Sequence, residues 1–73
     1  MIKVTAQFRE SREMKQAMDA YKSLAVRYDA IKVSSSAPTM MVNFSEATEL
    51  TAQFIRLLTK DSNVVRVNVQ EVK

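Results

Sequence analysis

Hydrophobic and polar residues alternate in four short segments of this 73-residue chain, which predicts four β-strands. The segments are residues 2–8, 30–34, 39–44 and 64–70. Only residues 35–38 separate the second segment from the third, so these two are predicted to form a hairpin. In the last segment, Val65, Val67 and Val69 are predicted to face inward.

Between the strands, apolar residues recur every three or four positions, which predicts two amphipathic helices. The first is predicted over residues 12–27, with Ser11 as its N-cap, and the second from its N-cap Ser45 to Lys60. The inward stripes are predicted to be Met14, Ala17, Met18, Tyr21, Leu24, Ala25 and Tyr28 in the first helix and Ala47, Leu50, Phe54 and Leu57 in the second. Asn63 is predicted to adopt a left-handed conformation in the glycine-free turn that follows.

The predicted element order is β-α-β-β-α-β, within a single domain of residues 1–73. This order predicts an α+β fold, a two-layer open-faced sandwich in which a four-stranded, mainly antiparallel sheet carries both helices on one face. The other face of the sheet is predicted to be polar. Because an antiparallel sheet can leave one face in water, simple solvation accounts for that polar face.

The chain contains no Cys, His, Gly or Trp, and these absences narrow the chemistry. Without Cys and His there is no ordinary zinc site and no thiol or imidazole catalyst, and glycine-rich phosphate loops cannot be formed. We therefore expect no enzyme activity, no metal and no cofactor. No secretion signal or membrane span is visible, so a cytoplasmic location is expected.

The net charge of +3 raises nucleic-acid binding as an alternative function. Lys3, Lys32 and Arg66 are predicted to lie together on the open face of the sheet. That face has no aromatic residues on which bases could stack. A small basic nucleic-acid-binding or ribosome-associated module that uses these three side chains is the alternative.

Four short segments in the predicted elements carry a family resemblance. They are Lys3-Val4-Thr5-Ala6, Ala25-Val26-Arg27-Tyr28-Asp29-Ala30, Val42-Asn43 and Val65-Arg66-Val67-Asn68-Val69. In this order they resemble the histidine-containing phosphocarrier protein of the bacterial sugar phosphotransferase system, HPr. The resemblance implies an HPr-like sheet. A ferredoxin-like sheet has the same element order but connects its strands differently, and periodicity leaves both open.

The chain departs from the HPr family where the family's chemistry lies. It has no histidine at the start of the first helix, so phosphotransfer of the family type is excluded. The position of the family's regulatory serine corresponds to Glu46, and Ser45 precedes it, which makes these two residues candidate regulatory positions. The family's third helix has no counterpart after the last strand. We expect a partner or a second copy to cover the surface that this helix would cover.

The resemblance and its departures together predict a non-catalytic, HPr-like protein-interaction or regulatory domain. Its partner would be another protein or a second copy of the chain in a dimer. The candidate partner surface consists of Arg9, Arg12, Lys15, Glu46, Ile55 and Leu58. The two apolar members of this set lie beside the predicted inward stripe of the second helix, where they would form an exposed apolar patch. They would alternatively wrap around the edge of the core.

Overall fold

A computed structural model describes residues 1–72 and contains all six predicted elements in the predicted order. The strands are β1 (Ile2–Phe8), β2 (Ala30–Ser36), β3 (Thr39–Phe44) and β4 (Val64–Glu71), and the helices are α1 (Ser11–Arg27) and α2 (Glu49–Lys60). The hairpin of β2 and β3 is confirmed. Strand β2 continues two residues beyond its predicted end, so its turn consists of Ala37 and Pro38 alone.

The four strands form one sheet in the order β2-β3-β1-β4, and every neighbouring pair is antiparallel. Strands β1 and β2 are therefore parallel with β3 between them, and β3 and β4 are parallel with β1 between them. Each helix connects one of these separated parallel pairs, which is the double split β-α-β arrangement. The α+β two-layer class is confirmed, and the sheet has the ferredoxin-like strand order that the sequence left open.

The core lies between the helical layer and the inner face of the sheet. Its fully buried members on the central strands are Val4, Ala6, Phe8, Met40, Val42 and Phe44. The ring of Phe54, on α2, lies at the centre of an aromatic cluster, 5.7 Å from Phe44, 5.8 Å from Tyr28 and 6.2 Å from Tyr21 between ring centroids. These edge-on and tilted arrangements are the ones that aromatic pairs favour.

Helix α2 begins at Glu49, and its N-cap lies three residues later than the predicted cap at Ser45, so that prediction was wrong. The N-cap is Thr48, which forms a capping box with Thr51. The Thr51 amide donates to the Thr48 hydroxyl at 3.4 Å, and the Thr48 amide donates to the Thr51 hydroxyl at 3.2 Å. A capping box satisfies two backbone donors that would otherwise lack partners, so it fixes the start of the helix more firmly than a serine alone.

The inward stripe of α2 also differs from the prediction. The buried residues are Thr51, Phe54 and Leu58, whereas the exposed fraction of Leu57 is 36%. Thr51 can be buried because its hydroxyl donates to the carbonyl of Glu46 at 3.2 Å and accepts from Thr48. With a polar residue on the buried face, hydrophobic periodicity alone selects the wrong phase for this helix.

The inward stripe of α1 is confirmed: Met14, Tyr21 and Ala25 are buried, and the other four predicted members are half-buried. Its N-cap is Glu10 rather than Ser11, and no side chain caps it.

The position of the left-handed residue was predicted wrongly. Asp29, and not Asn63, has positive φ among the residues that the structure covers, with a value of 64°. Asp29 follows the last turn of α1, where a left-handed residue commonly ends a helix and where aspartate tolerates that conformation. The Asn63 amide instead donates to the Asp61 carboxylate at 2.9 Å, which closes the turn without positive φ.

Candidate interaction surfaces

The charged members of the predicted partner surface lie at opposite ends of the sheet. Arg9, Arg12 and Lys15 follow the end of β1 at Phe8, whereas Glu46 follows the end of β3. Because β1 and β3 are antiparallel, with Ile2 opposite Phe44, the two chain ends point in opposite directions. The predicted set therefore does not form one continuous surface.

The apolar members of that set are not free to bind a partner. Leu58 has 0% exposure and belongs to the core, so its prediction as a contact residue was wrong. Ile55 is half-buried and packs against the core. The other possibility, that these side chains wrap around the edge of the core, is the one that the structure supports.

Arg9 is held by contacts within the chain. Its guanidinium donates to the Glu13 carboxylate at 2.9 Å and to the Asn63 side-chain oxygen at 3.2 Å, and its amide donates to the Asn63 carbonyl at 2.9 Å. The hydrogen bond from Arg9 lowers the pKa of Glu13, and the same hydrogen bond raises the pKa of Arg9. These contacts join the start of α1 to the turn before β4, which gives Arg9 a structural role.

Asp61, in the same turn, accepts a hydrogen bond from the phenol of the buried Tyr21. Burial raises the pKa of Tyr21, and the hydrogen bond to the Asp61 carboxylate raises it further. The protonated phenol is thus favoured in the folded state. The stability that it contributes is present below about pH 10, the ordinary pKa of tyrosine, and is lost as the pH rises towards the higher pKa of the folded state.

Tyr21→Phe is therefore expected to lower the free energy of unfolding by about 1–3 kcal/mol near pH 7, because a hydrogen bond to a charged group is lost. Urea unfolding at a series of pH values measures this. The variant should also lose less stability than the parent chain above about pH 10. Tyr28→Phe is the control, because it also removes a tyrosine hydroxyl but keeps the hydrogen bond from Tyr21 to Asp61. An equal decline with pH in the parent chain and in Tyr21→Phe would contradict the assignment.

Ser45 and Glu46, the candidate regulatory residues, lie in the exposed connection between β3 and α2. Neither belongs to the helix, because the helix starts at Glu49. The backbone carbonyl of Glu46 accepts the hydrogen bond from Thr51, while its side chain is exposed. Both side chains are accessible from solvent, and a regulatory role for them stays a prediction.

The open face of the sheet forms a regular grid. The register aligns its residues in three rows: Lys32, Asn43, Lys3 and Gln70; Ser34, Met41, Thr5 and Asn68; and Ser36, Thr39, Gln7 and Arg66. The grid contains three cations and no carboxylate. This face is therefore positively charged, and the predicted placement of its three cations is confirmed.

Strand β4 carries an exposed apolar surface that the sequence pattern did not predict. Val65 is 58% exposed and Val69 is 48% exposed, although both were predicted to face inward. Val65 is the extra residue of a β-bulge, because Gln7 pairs with Arg66 and Phe8 with Val64. Val69 pairs with the buried Val4 and so lies on the inner face, but β4 is an edge strand and the helical layer leaves Val69 half uncovered. Val67, the third predicted member, is half-buried as expected.

Within residues 1–72, no group of three or more His, Cys, Asp or Glu side chains comes together in a way that could hold a metal ion. Neither helix has the length and apolar character needed to span a bilayer. Comparison of the chain with protein-family models, with curated proteins and with solved structures finds no match.

Proposed function

We propose that the protein is a non-catalytic protein-interaction domain that binds its partner along the free edge of β4. The observation that carries this proposal is the half-exposed Val69 on the inner face of an edge strand. An edge strand presents unpaired backbone N–H and C=O groups that can pair with another strand. An apolar side chain beside that edge adds hydrophobic burial to the backbone pairing.

This proposal keeps the binding role expected from the HPr-like resemblance but not the predicted contact residues on α2. With no histidine, the chain cannot carry the phosphohistidine of that family, and binding is the role that a domain without this residue can retain. The predicted contacts on α2 do not contribute, since Leu58 belongs to the core. The edge of β4 takes their place as the surface that a partner would cover.

One observation favours nucleic-acid binding as a second candidate function. Lys3, Lys32 and Arg66 share the open face of the sheet, and no carboxylate lies in the rows that contain them. Lys3 and Lys32 flank β3 and are about 10 Å apart, two strand spacings. Contacts of these cations with phosphate would release counterions, so such binding would weaken steeply with added salt.

Affinity capture from the source cell tests both candidates at once. We expect the parent chain to capture a protein that Val69→Lys no longer captures, because the lysine places a charge on the apolar surface. Gln53→Lys makes a single-lysine change at an exposed position of α2 and should leave capture intact. Thermal unfolding of each variant checks that the fold is retained.

The outcomes separate the candidates. Retention of the same proteins by Val69→Lys would overturn binding at the β4 edge. Capture of nucleic acid that is lost on adding salt, and that requires the three cations of the open face, would favour the second candidate. Capture of neither a protein nor a nucleic acid would contradict both.

A further inference from the structure

We propose that the partner at the β4 edge is a second copy of this chain, and that the two β4 strands pair antiparallel about a two-fold axis at Asn68. This inference rests on the proposed function and specifies the partner. The result would be a continuous eight-stranded sheet with all helices on one face. Three features of β4 support it: the direction of its free backbone groups, the symmetry of its side chains and the absence of opposed like charges.

The direction of the backbone groups follows from the pairing of β4 with β1. Met1 and Val72 exchange two backbone hydrogen bonds, at 2.7 Å and 3.1 Å. Because hydrogen-bonded and non-hydrogen-bonded pairs alternate in an antiparallel ladder, Gln70 and Asn68 also bond to β1. The N–H and C=O groups of Val67, Val69 and Glu71 must then point away from β1, towards the free edge.

These groups fit the proposed axis. In an antiparallel pair centred on Asn68, Val67 of one copy lies opposite Val69 of the second copy. Both residues point their backbone groups at the shared edge, so each such pair can exchange two hydrogen bonds. The symmetry generates this pair twice. The two Asn68 residues meet in a non-hydrogen-bonded pair, which is consistent with their bonding to β1.

The side chains are compatible with the same register. On the inner face, Val69 meets Val67 of the second copy, so an apolar side chain that is half exposed in one copy becomes covered. On the open face, Arg66 meets Gln70 of the second copy, and Asn68 meets its own counterpart. No two like charges lie directly opposite each other. The ladder uses residues 66–70 only, which leaves the bulge at Val65 outside it.

Registers shifted by one pair fit less well. An axis at Val69 would place Val67 opposite the Glu71 carboxylate of the second copy, and an axis at Val67 would require the bulged Val65 to enter the ladder. The helical layer also accommodates the Asn68 axis. Neighbouring helices pack about 10 Å apart and neighbouring strands about 4.8 Å apart, so one helix takes the width of two strands. Joining the two sheets at β4 therefore leaves room for the helices of both copies side by side.

The opposite edge of the sheet is protected from such pairing. Strand β2 has an irregular register between Ala30 and Lys32, and its remaining residues are mostly serines. Bulges and lysines on an edge strand discourage pairing with another chain. The exposed Ile31 lies within the irregular part of β2, and the regular part after Lys32 consists of Val33 and three serines. Pairing through β2 would therefore bring mainly serine hydroxyls into the ladder, whereas pairing through β4 brings valines.

Two measurements on the purified full chain test the inference. In sedimentation equilibrium we expect a mass approaching twice 8.3 kDa as the concentration rises. Val69→Lys should raise the dimer dissociation constant about tenfold or more, because each dimer loses two Val67–Val69 pairs. Gln53→Lys should leave that constant unchanged.

Cysteine cross-linking tests the register, since the chain has no cysteine of its own. In Asn68→Cys the two thiols lie in a non-hydrogen-bonded pair with Cα atoms about 4.5 Å apart, within the range for a disulfide. Mild oxidation should therefore link the two copies. In the control Gln70→Cys, position 70 of one copy lies opposite position 66 of the second copy. The two Cα atoms at position 70 are then about 14 Å apart, so the cysteines should not link.

A chain that stays monomeric up to about 1 mM would overturn the inference. Dimers that cross-link through position 70 and not 68, or that tolerate Val69→Lys, would overturn the β4 pairing. The proposed function is judged separately. A monomeric chain that still captures a protein through Val69 leaves that function in place with a different partner. If the chain forms this dimer but captures no protein other than its own copy through Val69, the dimer stands and binding to a different protein is contradicted.

Discussion

Replacing Phe54 with alanine is expected to lower the free energy of unfolding by about 3–5 kcal/mol. Phe54 is fully buried, and its ring contacts the rings of Tyr21, Tyr28 and Phe44. The truncation removes the apolar contacts and leaves a cavity where α2, α1 and the sheet meet. A domain of 73 residues has a total stability of about 4–11 kcal/mol, so the variant should lose at least about a quarter of it.

Urea unfolding followed by far-ultraviolet circular dichroism measures this loss. Phe54→Leu is the control, because leucine fills most of the space, and it is expected to lower the free energy of unfolding by only about 1–2 kcal/mol. A loss below about 1 kcal/mol for Phe54→Ala would mean that the ring does not lie at the centre of the core.

Leu58→Ala is expected to lower the free energy of unfolding by about 2–5 kcal/mol, whereas Leu57→Ala should lower it by less than about 1 kcal/mol. The two residues are neighbours of the same type on α2, but Leu58 is fully buried and Leu57 is partly exposed. Because the chemical change is identical, the difference between the variants reports burial alone. The same unfolding experiment measures both.

This pair of variants also tests the orientation of α2. Hydrophobic periodicity selects Leu57 as the inward residue, and the folded chain selects Leu58. A larger loss for Leu57→Ala than for Leu58→Ala would restore the orientation predicted from the pattern. It would also return Leu58 to the candidate partner surface.

The error on α2 has a local physical cause. The pattern from Ala47 to Leu57 is apolar at helical spacing, and Ser45 is a good capping residue, so the sequence predicts that the helix starts there. Thr48 and Thr51 form the capping box instead, and Thr51 is buried because its hydroxyl bonds to the carbonyl of Glu46. The usual sequence signature of a capping box has Glu or Gln where this chain has Thr51, so the pattern did not mark Thr48 as the start of the helix.

One of the two candidate surfaces could be predicted from the sequence and the other could not. Period-two alternation placed Lys3, Lys32 and Arg66 on one face, because side chains of a strand alternate between its two sides whatever the strand's neighbours are. The exposure of Val69 could not be found from its own strand. It depends on which strand lies at the edge and on how far α2 covers the inner face.

The sequence by itself determined the six elements, their order and the faces of the regularly paired strand residues, since these follow from local periodicity along the chain. Only the tertiary structure decided the strand order, the burial of Leu58 and the exposure of Val69. The physical reason is that strand order and edge exposure depend on contacts between segments far apart in the chain. A local pattern specifies which face of a strand is apolar, but the neighbours that cover that face belong to the folded molecule.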